Sequence, residues 1–143
     1  MIVPDANLLL YAYNTASPFH TRARDWWEVC LSGSEPVGLT QPVIFAFVRI
    51  GTSARVFTDP LTLDEASEHV KSWIERRITY VLQPHADYVD RVLSLLAAVN
   101  SAGGNLVTDA QIAALAIAYR AVVHTADRDF LRFPGLSCHY PLD

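Results

Sequence analysis

Four aspartates are the residues in this sequence whose type and position could support catalysis. Asp5 directly follows an apolar N-terminal run, and Asp109 stands at the start of a long apolar stretch. Asp127 and Asp129 follow a second short β-like run. Each has a simpler explanation, because Asp commonly caps helices and occupies turns. As a group they predict more, since acids that cluster without a cation repel one another and their pKa values rise. A bound Mg²⁺ or Mn²⁺ would offset that repulsion, because both ions prefer carboxylate oxygens.

These aspartates meet only if the surrounding elements form a parallel sheet. The first thirteen residues predict a short strand, a turn that carries Asp5 and Asn7, and then a helix. A first strand that leads directly into a helix is usually central in an open parallel sheet, and ligands bind beyond the carboxyl ends of such strands. Right-handed crossovers bring at least Asp5 and Asp127 to that edge. Asp109 opens a helix after a loop that can return to the same edge.

Helical and β-like segments alternate along the rest of the chain, which predicts an α/β fold with a mainly parallel sheet. Four further strands are predicted at 37–40, 78–82, 122–125 and 137–140. Five further helices are predicted at 19–31, 42–54, 63–77, 86–99 and from 106 to about 119. A flexible break is predicted at 101–105, where Gly and Ser are frequent.

Composition narrows the class of protein. A chain of 143 residues, 51% hydrophobic and 18% charged, predicts one compact domain spanning residues 1–143. The net charge of -4 argues against an overall basic nucleic-acid-binding surface, although metal-bound carboxylates can still hold a nucleic acid substrate. Cys30 and Cys138 lack metal-ligand spacing, and two reduced, buried thiols are favoured over the alternative of a single disulfide bridge. Because neither a membrane-spanning run nor a signal peptide is predicted, the expected location is the cytoplasm, away from membranes.

Three acid-bearing motifs extend from one end of the chain to the other. They are Val3-Pro4-Asp5-Ala6-Asn7-Leu8-Leu9, Thr108-Asp109-Ala110-Gln111-Ile112-Ala113-Ala114-Leu115-Ala116 and Thr125-Ala126-Asp127-Arg128-Asp129-Phe130. Together with Phe133-Pro134-Gly135-Leu136, they resemble the motifs of PIN-domain ribonucleases, most closely the VapC toxins of VapBC toxin–antitoxin pairs. The resemblance implies a PIN fold, a central and mainly parallel sheet flanked by helices. It also implies Mg²⁺- or Mn²⁺-dependent endonuclease activity on RNA.

The resemblance also assigns roles to individual residues. Asp5, Asp109 and Asp127 correspond to the metal-binding acids of the family. Asp129 is expected to be an additional ligand or to lie next to the ligands. Asn7 and Thr125 are expected to orient the carboxylates or the metal-bound water.

Two partners besides RNA are implied in the same way. One is a cognate VapB-like antitoxin, whose C-terminal segment would insert basic side chains near the acids. The other is a second copy of the chain, in a homodimer that could use exposed aromatic residues such as Trp26 or Trp73.

One position departs from the family pattern. Many PIN nucleases carry a Glu three residues before an Arg in the helix after the second strand, whereas here Ala46 precedes Arg49 by that distance. Two explanations compete: Asp129 completes a reduced site that binds one metal well, or activity is weakened or lost. The first is favoured. Arg49 is the only charge in this very apolar helix before Arg55, and it is expected to need a partner because an unpaired buried charge is costly. Its possible roles are pairing with an active-site Asp, contacting RNA phosphate, or supporting the structure.

Two other functions compete with that of a nuclease. A phosphatase of the haloacid-dehalogenase type also places an Asp after its first strand, but it requires Asp-x-Asp, and the third position here is Asn7. The only lysine, Lys71, lies on a polar helix, which leaves such an enzyme without its catalytic Lys. A degenerate PIN domain that binds RNA or protein without cleavage is the non-enzymatic alternative. Ala46 supports it, and the four retained aspartates oppose it.

Overall fold

The centre of the molecule is a five-stranded sheet in which every strand is parallel to its neighbours. The computed structural model describes residues 1–99 and 106–143. Its strands are β1 (Ile2–Pro4), β2 (Val37–Leu39), β3 (Thr79–Val81), β4 (Val122–His124) and β5 (Ser137–His139). Their order across the sheet is β3-β2-β1-β4-β5. The first strand is therefore central, as predicted, and the strand order reverses there, which is where open parallel sheets bind ligands.

Six helices and one 3₁₀ helix connect these strands. They are α1 (Ala6–Tyr13), α2 (His20–Ser32), α3 (Gln41–Gly51), α4 (Leu63–Ile74), α5 (Tyr88–Ala98), α6 (Leu106–Ala118) and the 3₁₀ helix Arg128–Arg132. The α/β prediction is confirmed, and the observed sheet is wholly rather than mainly parallel. The helices predicted to end at 54 and 77 are shorter, and Asn7 lies inside α1 rather than in a turn. The break predicted at 101–105 lies outside the described residues.

Local sequence signals explain where two of these helices begin. The Thr62 side chain accepts a hydrogen bond from the Glu65 amide, and the Glu65 side chain accepts one from the Thr62 amide. This capping box satisfies two amides that the first turn of α4 leaves without helical partners. Thr40 caps α3 by accepting a hydrogen bond from the amide of Val43, and Pro42 follows in the first turn. Both caps therefore stabilise the first turn of their helix.

An aromatic cluster fills part of the core. Trp73 is fully buried, its ring packs edge-on against Phe47, and its indole nitrogen donates to the Tyr13 hydroxyl at 2.7 Å. The expectation that Trp73 contacts a second copy of the chain is therefore wrong, because its surface is already used inside the molecule. Trp26 is half-buried, and its indole nitrogen donates to Nδ1 of His124 at 3.1 Å.

The two cysteines differ in their burial. Cys30 is buried as expected, Cys138 is only half-buried, and both are free thiols. Among residues 1–99 and 106–143, no helix has the length and apolar character needed to cross a membrane.

Candidate active site

The predicted acids lie at the carboxyl edge of the two central strands. Asp5 follows β1 directly, and Asp127 comes three residues after the end of β4. The two strands are neighbours, and the Asp5 amide donates to the His124 carbonyl at 2.8 Å. Asp129 lies in the first turn of the 3₁₀ helix, and Asp109 lies half-buried in the first turn of α6. Parallel pairing of β1 and β4 therefore brings together residues that are more than 100 positions apart in the sequence.

Thr125 connects two of these acids. Its side chain is fully buried, and its hydroxyl donates to Oδ2 of Asp5 at 2.7 Å while accepting from the Asp127 amide at 2.9 Å. The other oxygen of Asp5 accepts from the Ala6 amide at 2.7 Å. Oδ1 of Asp127 accepts from the Asp129 amide at 2.8 Å. Asp5 and Asp127 thus do cap helices, as the simpler explanation held, and the same bonds fix their carboxylates in place.

The site is strongly acidic in its electrostatics. Burial raises the pKa of Asp5 from 3.8 to about 6, the hydrogen bonds from Thr125 and Ala6 oppose that rise, and the charge of Asp127 adds to it. Burial also raises the pKa of Asp109 to about 7, with further contributions from the charges of Asp5, Asp127 and Asp129. No Arg or Lys is among the influences on either group. The charges of Asp5, Asp127 and Asp129 therefore add to burial in raising the pKa of Asp109, and they favour its protonated form more than in an ordinary exposed aspartate.

The donor set suits a hard divalent cation. Carboxylate and amide oxygens are the ligands that Mg²⁺ and Mn²⁺ prefer. Oδ1 of Asn7, at the start of α1, is buried and has no hydrogen-bond partner among the described residues. Within those residues, however, no three His, Cys, Asp or Glu side chains are grouped closely enough to hold a metal ion. The oxygen ligands at this edge of the sheet are therefore of the type that a divalent cation prefers, although the acids of the described residues are not grouped as tightly as the ligands of a bound metal.

Comparison with known proteins shows which family the chain belongs to. A family model described as PIN domain matches residues 2–136. The chain belongs to the PIN-domain family. It is 42% identical to Ribonuclease VapC33 of Mycobacterium tuberculosis over 142 residues, which cover 99% of each chain. It is 38% identical to Ribonuclease VapC37 of the same organism over 144 residues, covering 99% of this chain and 97% of the relative.

Solved structures show the same fold at low sequence identity. The structure of Mycobacterium tuberculosis VapC20, described as a sarcin-ricin loop cleaving toxin, has a TM-score of 0.69 at 15% identity and covers 96% of this PIN domain and 99% of its own chain. The structure of Rickettsia felis VapBC2 bound to a DNA fragment from its promoter has a TM-score of 0.68 at 19% identity, covering 97% and 98%. The PIN fold implied by the sequence motifs is thereby confirmed.

Two predicted features of this PIN domain lie in α3. Ala46, which stands where many PIN nucleases have Glu, is buried in the middle of the helix. Arg49 is exposed in the last turn, away from the acidic edge at which α3 begins, and no carboxylate of the described residues forms an ion pair with it. The argument that Arg49 needs a buried partner was wrong, because an exposed guanidinium keeps its hydration. The structure thus shows no pairing between Arg49 and an acid of the site.

Sequence reasoning missed one residue beside the acids of the PIN domain. Tyr140 directly follows β5, and its hydroxyl donates to the Asp127 carbonyl at 3.4 Å. A signal was available, because the end of a fifth parallel strand must lie at the same edge as the ends of the others. The predicted strand, 137–140, ended at Tyr140, but no contact with the acids was inferred from that position.

Replacing Thr125 with Val is expected to lower the stability of this PIN domain and to raise the pKa of Asp5. The substitution keeps the shape of the side chain but leaves Oδ2 of Asp5 and the amide of Asp127 without their partner, which costs about 1–3 kcal/mol of folding free energy. It also removes a hydrogen bond that lowers the Asp5 pKa, so that pKa should rise further. Thermal unfolding and carboxyl NMR titration measure the two effects. Thr125→Ser, which keeps the hydroxyl, is the control. An unchanged Asp5 pKa in the Val variant would contradict the bridging role.

Proposed function

We propose that this chain is a metal-dependent endoribonuclease toxin of the VapC type, held inactive by a cognate VapB-like antitoxin. One observation carries the proposal: four carboxylates share the carboxyl edge of the central strands, and no basic side chain influences the raised pKa values of Asp5 and Asp109. Relatives that are named ribonucleases, at 42% and 38% identity over nearly the whole chain, support the same conclusion.

Asp5, Asp109, Asp127 and Asp129 are the residues that would hold Mg²⁺ or Mn²⁺. Such an ion supplies positive charge to the phosphate oxygens of the substrate and acidifies the water that attacks phosphorus. The protein holds the carboxylates that would surround the ion in fixed positions. Thr125 fixes one oxygen of Asp5, and the backbone amides of Ala6 and Asp129 fix an oxygen each on Asp5 and Asp127.

Burial strengthens the electrostatic interactions of the acids in the site. Asp5 is only 7% exposed, so water cannot screen its charge as it would at the surface. Asp109 has a pKa of about 7 and can exchange a proton near neutral pH. Approach of a cation or of a basic antitoxin side chain favours the ionised form of both groups. An acidic edge therefore suits a basic inhibitory segment as well as a metal.

The homodimer and the cytoplasmic location stay predictions from the sequence. A PIN domain that binds RNA or protein without cleaving it is the second candidate. It is favoured by the buried Ala46 in place of Glu and by the absence of three tightly grouped ligands among the described residues.

Cleavage of total cellular RNA by the purified protein, freed of antitoxin, tests the proposal. We expect discrete fragments with Mg²⁺ or Mn²⁺ and none with EDTA, because the acids alone offer no positive charge to neutralise the phosphate. A calorimetric titration of the same sample with Mn²⁺ reports metal binding separately. If the folded protein cleaves no RNA with either metal, the non-catalytic binding domain becomes the better description.

A further inference from the structure

Arg128 presents a cationic group beside the acids without neutralising them. It separates Asp127 from Asp129 in the chain, yet its guanidinium turns towards the last residues of the sequence. The guanidinium carbon lies 3.7 Å from the centre of the Tyr140 ring, and one terminal nitrogen forms an ion pair with Asp143. The side chain is 57% exposed. Arg128 therefore faces solvent at the rim of the site.

Tyr140 ties this guanidinium to the acidic loop. Its ring lies under the guanidinium, and its hydroxyl donates to the Asp127 carbonyl at 3.4 Å. A cation stacked on an aromatic face keeps its N–H edge pointing outward, and Arg has five N–H donors in a fixed plane. Because Asp143 occupies one nitrogen, donors remain for another anion. Through Tyr140, the guanidinium is thus connected to the backbone of Asp127.

The partner of Arg128 can be displaced. Asp143 is 61% exposed, and ion pairs between exposed groups contribute little stability. A phosphate oxygen is an equivalent acceptor, and Arg pairs with phosphate through two parallel hydrogen bonds. In the free protein, Asp143 thus occupies the position that a substrate phosphate can take.

Other basic residues are less well placed for this role. Arg132 donates to the Val99 carbonyl at 3.1 Å, so part of its guanidinium is already used. Arg49 lies in the last turn of α3, away from the acidic edge. Arg77 precedes β3 and so lies towards the amino end of the sheet, opposite the acids. A chain with a net charge of -4 needs a local cation to hold RNA, and Arg128 is positioned to provide it.

Resting on the proposed function, we propose that Arg128 binds a phosphodiester group of the RNA next to the scissile one. Tyr140 supports the guanidinium, and Asp143 holds it until the phosphate replaces the carboxylate. Because the guanidinium packs on Tyr140 and pairs with Asp143 rather than with any of the four acids, it contacts a flanking phosphate rather than the one being cleaved. Arg128 is therefore a substrate-positioning residue.

Binding of a fluorescently labelled oligoribonucleotide of random sequence tests this role, measured in EDTA at a series of KCl concentrations. We expect Arg128→Ala to weaken binding roughly 10- to 100-fold, as loss of a charge-assisted hydrogen-bond pair predicts. The slope of log affinity against log salt should fall by about 0.7, the change expected for one lost phosphate contact with a single strand. Arg128→Lys keeps the charge and should retain the slope while recovering part of the affinity. Arg77→Ala is the matched control and should change neither quantity.

A substitution that removes a negative charge, and should therefore strengthen RNA binding, completes the test. Asp143→Asn removes the competing carboxylate and should strengthen RNA binding, whereas Asp25→Asn removes an equally exposed charge from α2 and should have a smaller effect. RNA binding that Arg128→Ala leaves unchanged, from protein with wild-type unfolding temperature, overturns the assignment even if the wild type cleaves RNA. Failure of the wild type to bind RNA overturns it too. Binding that depends on Arg128 in a wild type that cleaves no RNA supports the contact and refutes the nuclease.

Discussion

Asp5→Asn is expected to reduce RNA cleavage by more than about a hundredfold while the protein stays folded, since even residues that only support metal ligands cost 10- to 100-fold when lost. The carboxylate uses both oxygens, one for the Ala6 amide and one for the Thr125 hydroxyl. An amide has a single oxygen and no charge, so it keeps at most one of those bonds and binds a cation weakly. Accumulation of discrete RNA fragments with Mn²⁺ measures the effect, and growth of cells expressing the variant measures toxicity.

Controls for this experiment separate loss of chemistry from loss of fold. Asp25→Asn makes the same chemical change on α2, at an exposed residue that does not influence the pKa of Asp5 or Asp109. It should cleave RNA as the wild type does. Calorimetric titration with Mn²⁺ should show weaker binding in Asp5→Asn only. Full cleavage by folded Asp5→Asn would remove Asp5 from the proposed catalytic residues.

The same substitution is expected to make the stability of the metal-free protein less sensitive to rising pH. The Asp5 pKa is raised from 3.8 to about 6 in the folded state, mainly by burial. Below pH 3.8 both states hold the proton, and between 3.8 and about 6 only the folded state does. This contribution to stability is therefore lost as the pH rises through about 6. Relative to the wild type, Asp5→Asn should gain on the order of 3 kcal/mol between about pH 4 and about pH 8.

Thermal unfolding of both proteins in EDTA across that pH range measures the difference. Burial lowers the pKa of His124 to about 4, which acts in the opposite direction, but it acts on both proteins and cancels in the comparison. Mn²⁺ at alkaline pH should raise the unfolding temperature of the wild type more than that of the variant, because the ion binds the charged carboxylate. A stability difference that does not change with pH would show that Asp5 ionises as freely in the folded protein as in the unfolded chain.

Sequence alone determined the elements and the edge at which the acids meet. Apolar runs bounded by turn residues located all five strands, because a buried parallel strand needs a short hydrophobic segment and a break at each end. The run of small apolar residues after Asp109 predicted a buried helix, and Ala113 and Ala116 are indeed fully buried in α6. Parallel strands have their carboxyl ends on one side, so the placement of Asp5 and Asp127 followed from connectivity.

Tertiary structure decided what connects those elements, because side-chain contacts depend on distances that no local pattern encodes. Thr125 reaches Asp5 across 120 positions of sequence, and only the pairing of β1 with β4 creates that bond. Trp73 is fully buried and Arg49 is exposed, both against expectation, since the face that each residue presents depends on how its helix packs. The raised pKa of Asp109 arises from burial and from charges that converge only in the folded chain. The order of residues along the chain thus determined which groups reach the carboxyl edge of the sheet. Tertiary packing determined their exposure to water, their hydrogen-bond partners and their ionisation.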